Sequence, residues 1–277
     1  MMPAVAVVVL AICFALTMAG AWLVALRTGR SGWIDAIWSF ATGVFGAAGA
    51  LLVFDGDEIT PRQILVALLA LSWSLRLGLH IAARTARGGE DPRYRQLRTQ
   101  WGSAFKTRLF WFLQVQAFAA LVLALSIMIA AHNPAPGLTA LDWLGIAVLI
   151  AAVAGEAIAD RQLSVFRSDP KNKGLVCDVG LWAMSRHPNY FFEWLGWLAY
   201  PVIAIDLTGS YPWGWLALAG PLLMYWLLVH ASGIPPLEAH MLRSRGKDFR
   251  EYQQRVNAFW PCLQGGVSAA ARNEDPR

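Results

Sequence analysis

Charge is scarce in this chain. Only 15% of its 277 residues are Asp, Glu, Lys or Arg, while 57% are hydrophobic and 14 are Trp. Soluble domains carry about 25% charged residues, so an ordinary soluble fold is excluded. Cysteine is scarce too. Cys13, Cys177 and Cys262 stand far apart with no CxxC spacing, so neither a zinc site nor a disulfide framework is indicated and no metal is expected. No internal repeat of about 20–50 residues is visible. No G-x-G-x-x-G follows a strand, which removes a Rossmann domain as a cofactor site.

Long apolar windows are what the chain has instead. A stretch of about 18 apolar residues suffices to cross about 30 Å of hydrocarbon. Seven windows qualify, roughly 3–26, 33–54, 63–83, 108–131, 139–159, 190–206 and 211–231. The first has no basic n-region and is too long for a signal-peptide core, so it is expected to be a retained span. The loops test the count. Arg27 and Arg30 lie in loop 27–32, six cations lie in loop 84–107, and Arg161, Arg167, Lys171, Lys173 and Arg186 lie in loop 160–189. The alternate loops 55–62, 132–138 and 207–210 hold only Arg62 between them. Basic loops stay cytoplasmic, so the alternation puts the N-terminus outside and the C-terminus in the cytoplasm. The net charge of +5 is then topological, and nucleic acid is not an expected partner.

The expected fold is therefore all-α and integral to the membrane: a seven-transmembrane helix bundle with cytoplasmic loops and a C-terminal amphipathic segment. A single domain is expected over 1–262, with a disordered tail over 263–277. A monomer is expected.

Ionisable residues inside spans are costly, and each is a candidate for function. Asp35 sits near the cytoplasmic start of the second span. Arg76 and His80, Glu156 and Asp160, and Asn189 and Glu193 are pairs one helical turn apart, each on one face. All fall in the cytoplasmic halves of their helices, which suggests a chamber open to the cytoplasm. Structural ion pairing is the plainer account of any one of them. Gln116 reads as interhelical glue.

The stretch GLWAMSRHPNYFFEW, residues 180–194, is the most informative. Pro188 suits the first turn of a helix. The free amides and positive dipole end there, next to Arg186 and His187, suit a phosphate. Asn189 and Glu193 can read the donor and acceptor edge of a carboxamide or adenine, and Asp160 can accept from a ribose hydroxyl. A second cluster, GGEDPRYRQLRTQWG at 88–102, offers Glu90, Asp91, Arg93, Tyr94 and Arg95, carboxylates for a ribose and arginines for a phosphate, or is simply a solvated loop. In the tail, an amphipathic helix is expected from about 236, with an apolar stripe of Phe249, Tyr252, Val256 and Phe259. It reads as a lid with Glu238 near its start, or as an interfacial anchor.

WIDAIWS, GEDPRY, DRQL, RHPNYF-x-E, SGIPPLE and YQQRVNAFWP cover nearly the whole chain. With these motifs the sequence resembles the membrane-embedded steroid 5α-reductase family, in its bacterial branch catalogued as a domain of unknown function (DUF1295-like). The resemblance implies a seven-helix fold that binds NADPH on the cytoplasmic side. It implies reduction of a carbon–carbon double bond conjugated to a ketone in an apolar substrate entering from the lipid bilayer, best guessed as a 3-oxo-Δ4 steroid. Hydride goes to the β-carbon while an acid polarises the ketone. Matched by motif, Asp160, Arg167, Asn189 and Glu193 look like cofactor or catalytic residues, and Arg84 in HIAART looks like a further cofactor ligand. Arg93, Tyr94, Arg186, His187, Tyr190 and Glu238 complete the expected cofactor shell. The family's Gln-Glu pair is replaced here by Asp35 alone, and Ile81 stands where a Tyr is expected. Asp35 as the acid requires a protonated carboxyl in a dry pocket, with Tyr94 or Trp38 filling the gap.

The isoprenylcysteine carboxyl methyltransferases share the RHPxY helix start, so an S-adenosylmethionine-dependent methyltransferase is the alternative. The supply of arginines favours the phosphates of NADPH. A transporter or lipid-binding scaffold is a third reading, but neither inverted repeats nor broken midplane helices are apparent.

Overall fold

A computed structural model describes residues 3–54, 58–88 and 91–262, with the side chain of Pro92 left aside. The expected tail over 263–277 and Glu90 lie outside these residues. Every regular element among them is helical. Contacts group the chain into two compact units. One takes in the chain up to Val153 together with Trp194–Leu227, and the other takes Ala154–Glu193 with the chain from Leu228 onward.

The first unit is built from α1 (Pro3–Thr28), α2 (Gly32–Ala50), α3 (Pro61–Ala86), α4 (Pro92–Trp101), α5 (Phe105–Ala131) and the opening half of α6 (Ala140–Ser168). The start of α3 is written in the sequence Thr-Pro-Arg-Gln. The Thr60 hydroxyl accepts from Gln63 N at 3.2 Å while Thr60 N donates to Gln63 Oε1 at 2.9 Å, with Pro61 at the first helical position. Helices α2 and α3 pack through small residues. A Cβ on Gly43 would stand 2.0 Å from Ser74 Cβ, and one on Gly78 would strike the Phe40 ring. Such close approach is how helices associate where lipid offers no hydrophobic contrast. The Ser74 hydroxyl adds a bond to Ser39 O at 2.9 Å.

Arg62, the one cation in the expected outer loops, is a tie inside this unit. It grips Asp142 with Nε at 2.8 Å and Nη2 at 2.9 Å. Its remaining donors reach the carbonyls of Asn133, Ala135 and Gly137. This pins the turn before α6 to the start of α3.

Among the described residues, five helical runs are long and apolar enough to cross a membrane: Pro3–Thr28, Pro61–Ala86, Arg93–Ala131, Ala140–Ser168 and Pro212–Arg245. The chain is thus a helical membrane protein, and two of the seven expected spans fall short. Helix α2 is 19 residues long, but four of them are Gly and it carries Asp35. The window 190–206 breaks into α7 (Pro188–Trp197) and α8 (Ala199–Ala204). Pro201 has no N–H to offer Trp197 O, so one unbroken helix cannot run through it.

Past α8 come a 3-10 stretch Pro212–Leu218, α9 (Ala219–Trp226) and a π-helical turn Leu227–Ala231. In the second unit α10 (Ile234–Arg245) and α11 (Lys247–Arg255) follow. The single tail helix expected from sequence is divided at Gly246, whose φ of +53° lies in the region only glycine enters freely. The apolar stripe itself is present: Phe249, Tyr252, Val256 and Phe259 are each 3% exposed or less.

Candidate functional site

In the second unit, the site is organised by the first turn of α7. Pro188 opens the helix, and the Ser185 hydroxyl just before it accepts from His187 N at 3.1 Å while donating to Phe259 O at 3.0 Å. On the face that follows, Asn189 Nδ2 reaches Asp160 Oδ1 of α6 at 3.5 Å. Glu193, one turn further, and Glu156, one turn before Asp160, are 8% and 6% exposed. Arg167 stands exposed at the end of α6. An amide and three carboxylates thus occupy the facing turns of two helices.

Beside them lies a knot centred on Glu238 of α10. Arg186 donates to it twice, Nε to Oε1 at 2.7 Å and Nη2 to Oε2 at 3.2 Å. Gln253 Nε2 donates to Oε2 at 2.7 Å, and His187 Nε2 meets Oε1 at 3.0 Å. The Arg186 Nη1 donors turn to the carbonyls of Gln253 and Val256, and its backbone N–H donates to Asn257 O at 2.8 Å. His187 is 4% exposed and its ring stacks on Tyr190 at 5.5 Å. Burial holds its imidazole below the ordinary histidine range, although Glu238 pulls the other way. A neutral ring with hydrogen on Nε2 donates to Glu238.

In the first unit the polar centre is Asp35. Arg93 Nη2 donates to its Oδ2 at 2.5 Å, and the Tyr94 hydroxyl donates to its Oδ1 at 3.0 Å. Gln116 Nε2 approaches the Tyr94 oxygen at 3.5 Å. Asp91 caps α4 by accepting from Arg93 N at 3.0 Å and also takes the Arg93 Nε hydrogen at 3.0 Å. Burial would raise the Asp91 carboxyl, yet the bonds and charge of Arg93 hold it below the usual carboxylate range. Arg84, 59% exposed at its side chain, stands 3.7 Å from Asp91.

A family model described as "Protein of unknown function (DUF1295)" matches residues 21–256. The chain belongs to the DUF1295 family. An uncharacterized protein of Schizosaccharomyces pombe, C594.04c, is 26% identical to it over 88% of this chain and 76% of the relative.

Three expectations for this DUF1295 chain are revised by the geometry. Asp35, expected as a protonated acid in a dry pocket, accepts from a guanidinium on one oxygen and a phenol on the other. Both of its oxygens are engaged by donors of the protein, so Asp35 is placed as an acceptor. Arg186, expected to fork a phosphate, spends Nε, Nη1 and Nη2 on Glu238 and two carbonyls. Glu238 is likewise spent on Arg186, His187 and Gln253 rather than left for a ligand. By contrast, Asp160, Asn189 and Glu193 are brought onto facing turns as the spacing suggested.

Several contributors escaped the sequence reading. Asp91 followed by Pro92 is an N-cap signature that was assigned to ribose binding. Gln116, taken as helix glue, does both jobs: its backbone O accepts from Trp38 Nε1 at 3.0 Å while its amide turns to Tyr94. Gln253 gave no signal beyond its place in an amphipathic helix.

Proposed function

We propose that this membrane protein uses NADPH to reduce a carbon–carbon double bond conjugated to a ketone in an apolar, steroid-like substrate, in the manner of the steroid 5α-reductases it resembles. The observation that carries this reading is the Asn189–Asp160 pairing with Glu193 and Glu156 buried a turn to either side. Ionisable side chains on apolar membrane helices are uncommon, and several gathered on facing turns are candidates for function.

The donor set fits the cofactor. Asp160 offers an acceptor to a ribose hydroxyl, Asn189 with Glu193 offers a donor and acceptor pair to a carboxamide, and the exposed Arg167 offers a guanidinium to a phosphate. When bound, NADPH supplies the hydride that goes to the β-carbon. The protein's own part is to polarise the ketone. Tyr94 carries the one hydroxyl in the Asp35 cluster, and turning its O–H from Asp35 to a carbonyl oxygen exchanges one hydrogen bond for another. Arg93 then keeps Asp35 partnered while the phenol is engaged, and Gln116 continues to donate to the phenol oxygen.

An S-adenosylmethionine-dependent methyltransferase is the second reading, and one observation favours it. With Arg186 turned inward, the phosphate-binding supply that spoke for NADPH is smaller by one guanidinium.

The test is thermal melting of detergent-purified protein with each cofactor. NADPH at about 100 times its Kd stabilises by about 2.7 kcal/mol, and S-adenosylmethionine leaves the melting temperature unchanged. Asn189→Ala and Glu193→Ala reduce the NADPH increment, and Tyr94→Phe keeps it while losing enone reduction. An NADPH increment untouched in both Asn189→Ala and Glu193→Ala removes the site, and stabilisation by S-adenosylmethionine instead selects the methyltransferase.

A further inference from the structure

Helix α6 has a second working face. Glu156, Asp160 and Arg167 recur at four and seven residues and share one side. Ile158, Arg161, Gln162, Val165, Phe166 and Asp169 recur at the same helical spacing on the other. Nine residues separate Glu156 from Val165, two and a half turns at about 3.6 residues per turn, so the two sets point in opposite directions. The second set lines a groove of about 510 Å³, closed along one edge by Asn172 and Val179 of the segment that folds back after α6. That segment is held against the helix: Asn172 Nδ2 donates to Phe166 O at 2.9 Å, and Leu181 N donates to Gln162 Oε1 at 2.9 Å.

The chemistry of the groove is mixed along its length. At its membrane-side end Ile158 is 51% exposed on a helix whose preceding turns are apolar; one turn past Arg161 the apolar wall resumes with Val165, 62% exposed, and Val179 of the returning segment is 49% exposed. In the middle stands Arg161, exposed and without a hydrogen-bond or ion-pair partner among the described residues. Acceptors follow. Asp169 keeps Oδ2 after its Oδ1 has accepted from Lys171 N, and Asn172 keeps Oδ1 after its amide has donated. Lys171 and Lys173 are exposed in the same segment. A guanidinium set in an apolar wall, with hydroxyl acceptors beyond it, suits a ligand with an acyl chain, a phosphate and a polyol.

We propose that this groove is a binding site for an anionic phospholipid with a hydroxylated headgroup. The phosphate sits on Arg161, a headgroup hydroxyl reaches Asp169 or Asn172, and an acyl chain runs down past Ile158. This site goes beyond the reductase reading and uses none of the residues assigned there.

Full-length protein in detergent is titrated with phosphatidylglycerol, phosphatidylcholine and glycerol 3-phosphate, and bound ligand is read by native mass spectrometry. Phosphatidylglycerol binds about tenfold tighter than phosphatidylcholine, because both present a phosphate to Arg161 but only the first has headgroup hydroxyls for Asp169 and Asn172. Arg161→Gln weakens phosphatidylglycerol binding about tenfold. Val179→Glu, which leaves Arg161 in place but puts a carboxylate in the groove, also weakens it. Arg161→Gln leaves any NADPH-dependent melting shift as in the wild type, so failure of the cofactor reading and failure of this one are separable. Equal binding of the two lipids, or unchanged phosphatidylglycerol affinity in Arg161→Gln, overturns the proposal. Glycerol 3-phosphate binding as tightly as phosphatidylglycerol overturns the lipid in favour of a free phosphate.

Discussion

Glu238→Ala is the sharpest probe of how the start of α7 is held. The carboxylate receives hydrogen bonds from Arg186 Nε, Arg186 Nη2, Gln253 Nε2 and His187 Nε2. Its removal leaves a guanidinium that is only 11% exposed with two carbonyls in place of a counter-charge. Breaking a buried pair by deleting one partner costs about 3–5 kcal/mol, and partial exposure puts this case near about 3. At about 2–4 °C per kcal/mol for a chain of this size, the cofactor-free melting temperature falls by about 6–12 °C. The double variant Arg186→Met with Glu238→Leu recovers part of the loss, because no charge is stranded. It does not recover all, since the carbonyls of Gln253 and Val256 lose their donor. The assay is a thermal melt in detergent without cofactor, read beside NADPH affinity. If Glu238→Ala melts within about 2 °C of the wild type while Arg186→Met loses NADPH binding tenfold or more, Arg186 is a phosphate ligand after all and the knot is incidental.

Two further outcomes are expected. His187 is held below the ordinary histidine range, so below about pH 6.5 the unfolded chain binds a proton that the folded chain resists. Its contribution to stability is therefore complete above that pH and is lost as pH falls. A melting-temperature series from about pH 7 to about pH 5 declines in the wild type and is flatter in His187→Gln; parallel curves refute the assignment. Arg62→Met leaves Asp142, whose side chain is 1% exposed, with only Thr139 N and Oγ1 as donors, and lowers stability by about 3–5 kcal/mol. A melting temperature unchanged in Arg62→Met would show that this tie contributes nothing.

What the sequence made legible were features with a local cause. The apolar windows that became α1, α3, α5 and α6 announced themselves by length, and the Thr-Pro-Arg-Gln cap and Pro188 start follow from backbone chemistry within one turn. The four-residue spacing of Asn189 with Glu193 and of Glu156 with Asp160 placed each pair on one face. The misreadings have two causes, single residues that hydropathy or charge counting passes over and partners far away in the chain. Pro201 divides a window that hydropathy averages smoothly. Arg186 looks like a phosphate ligand until Glu238, fifty-two residues on, occupies its fork. Asp35 looks like an isolated acid until Arg93, fifty-eight residues on, donates to it. Nothing in the neighbouring residues of either signals that partner, because a charge inside an apolar helix looks the same whether its counter-ion belongs to the protein or to a ligand.

That ambiguity bears directly on the choice of cofactor. Counting arginines favoured NADPH, but a guanidinium already satisfied by a carboxylate supplies no phosphate contact without first breaking a buried pair. Subtracting Arg186 on that ground leaves exposed cations in the second unit, among them Arg161, Arg167, Lys171 and Lys173. These are strongly solvated and screened, and each gains less from a phosphate than a buried, preset fork does. Cofactor affinity resting on such residues falls steeply as salt is raised, whereas affinity resting on Asn189, Asp160 and Glu193 barely responds. The slope of affinity against ionic strength therefore separates a dinucleotide gripped by its phosphates from a ligand recognised by hydrogen bonds alone. S-adenosylmethionine, which carries no phosphate, belongs to the second class.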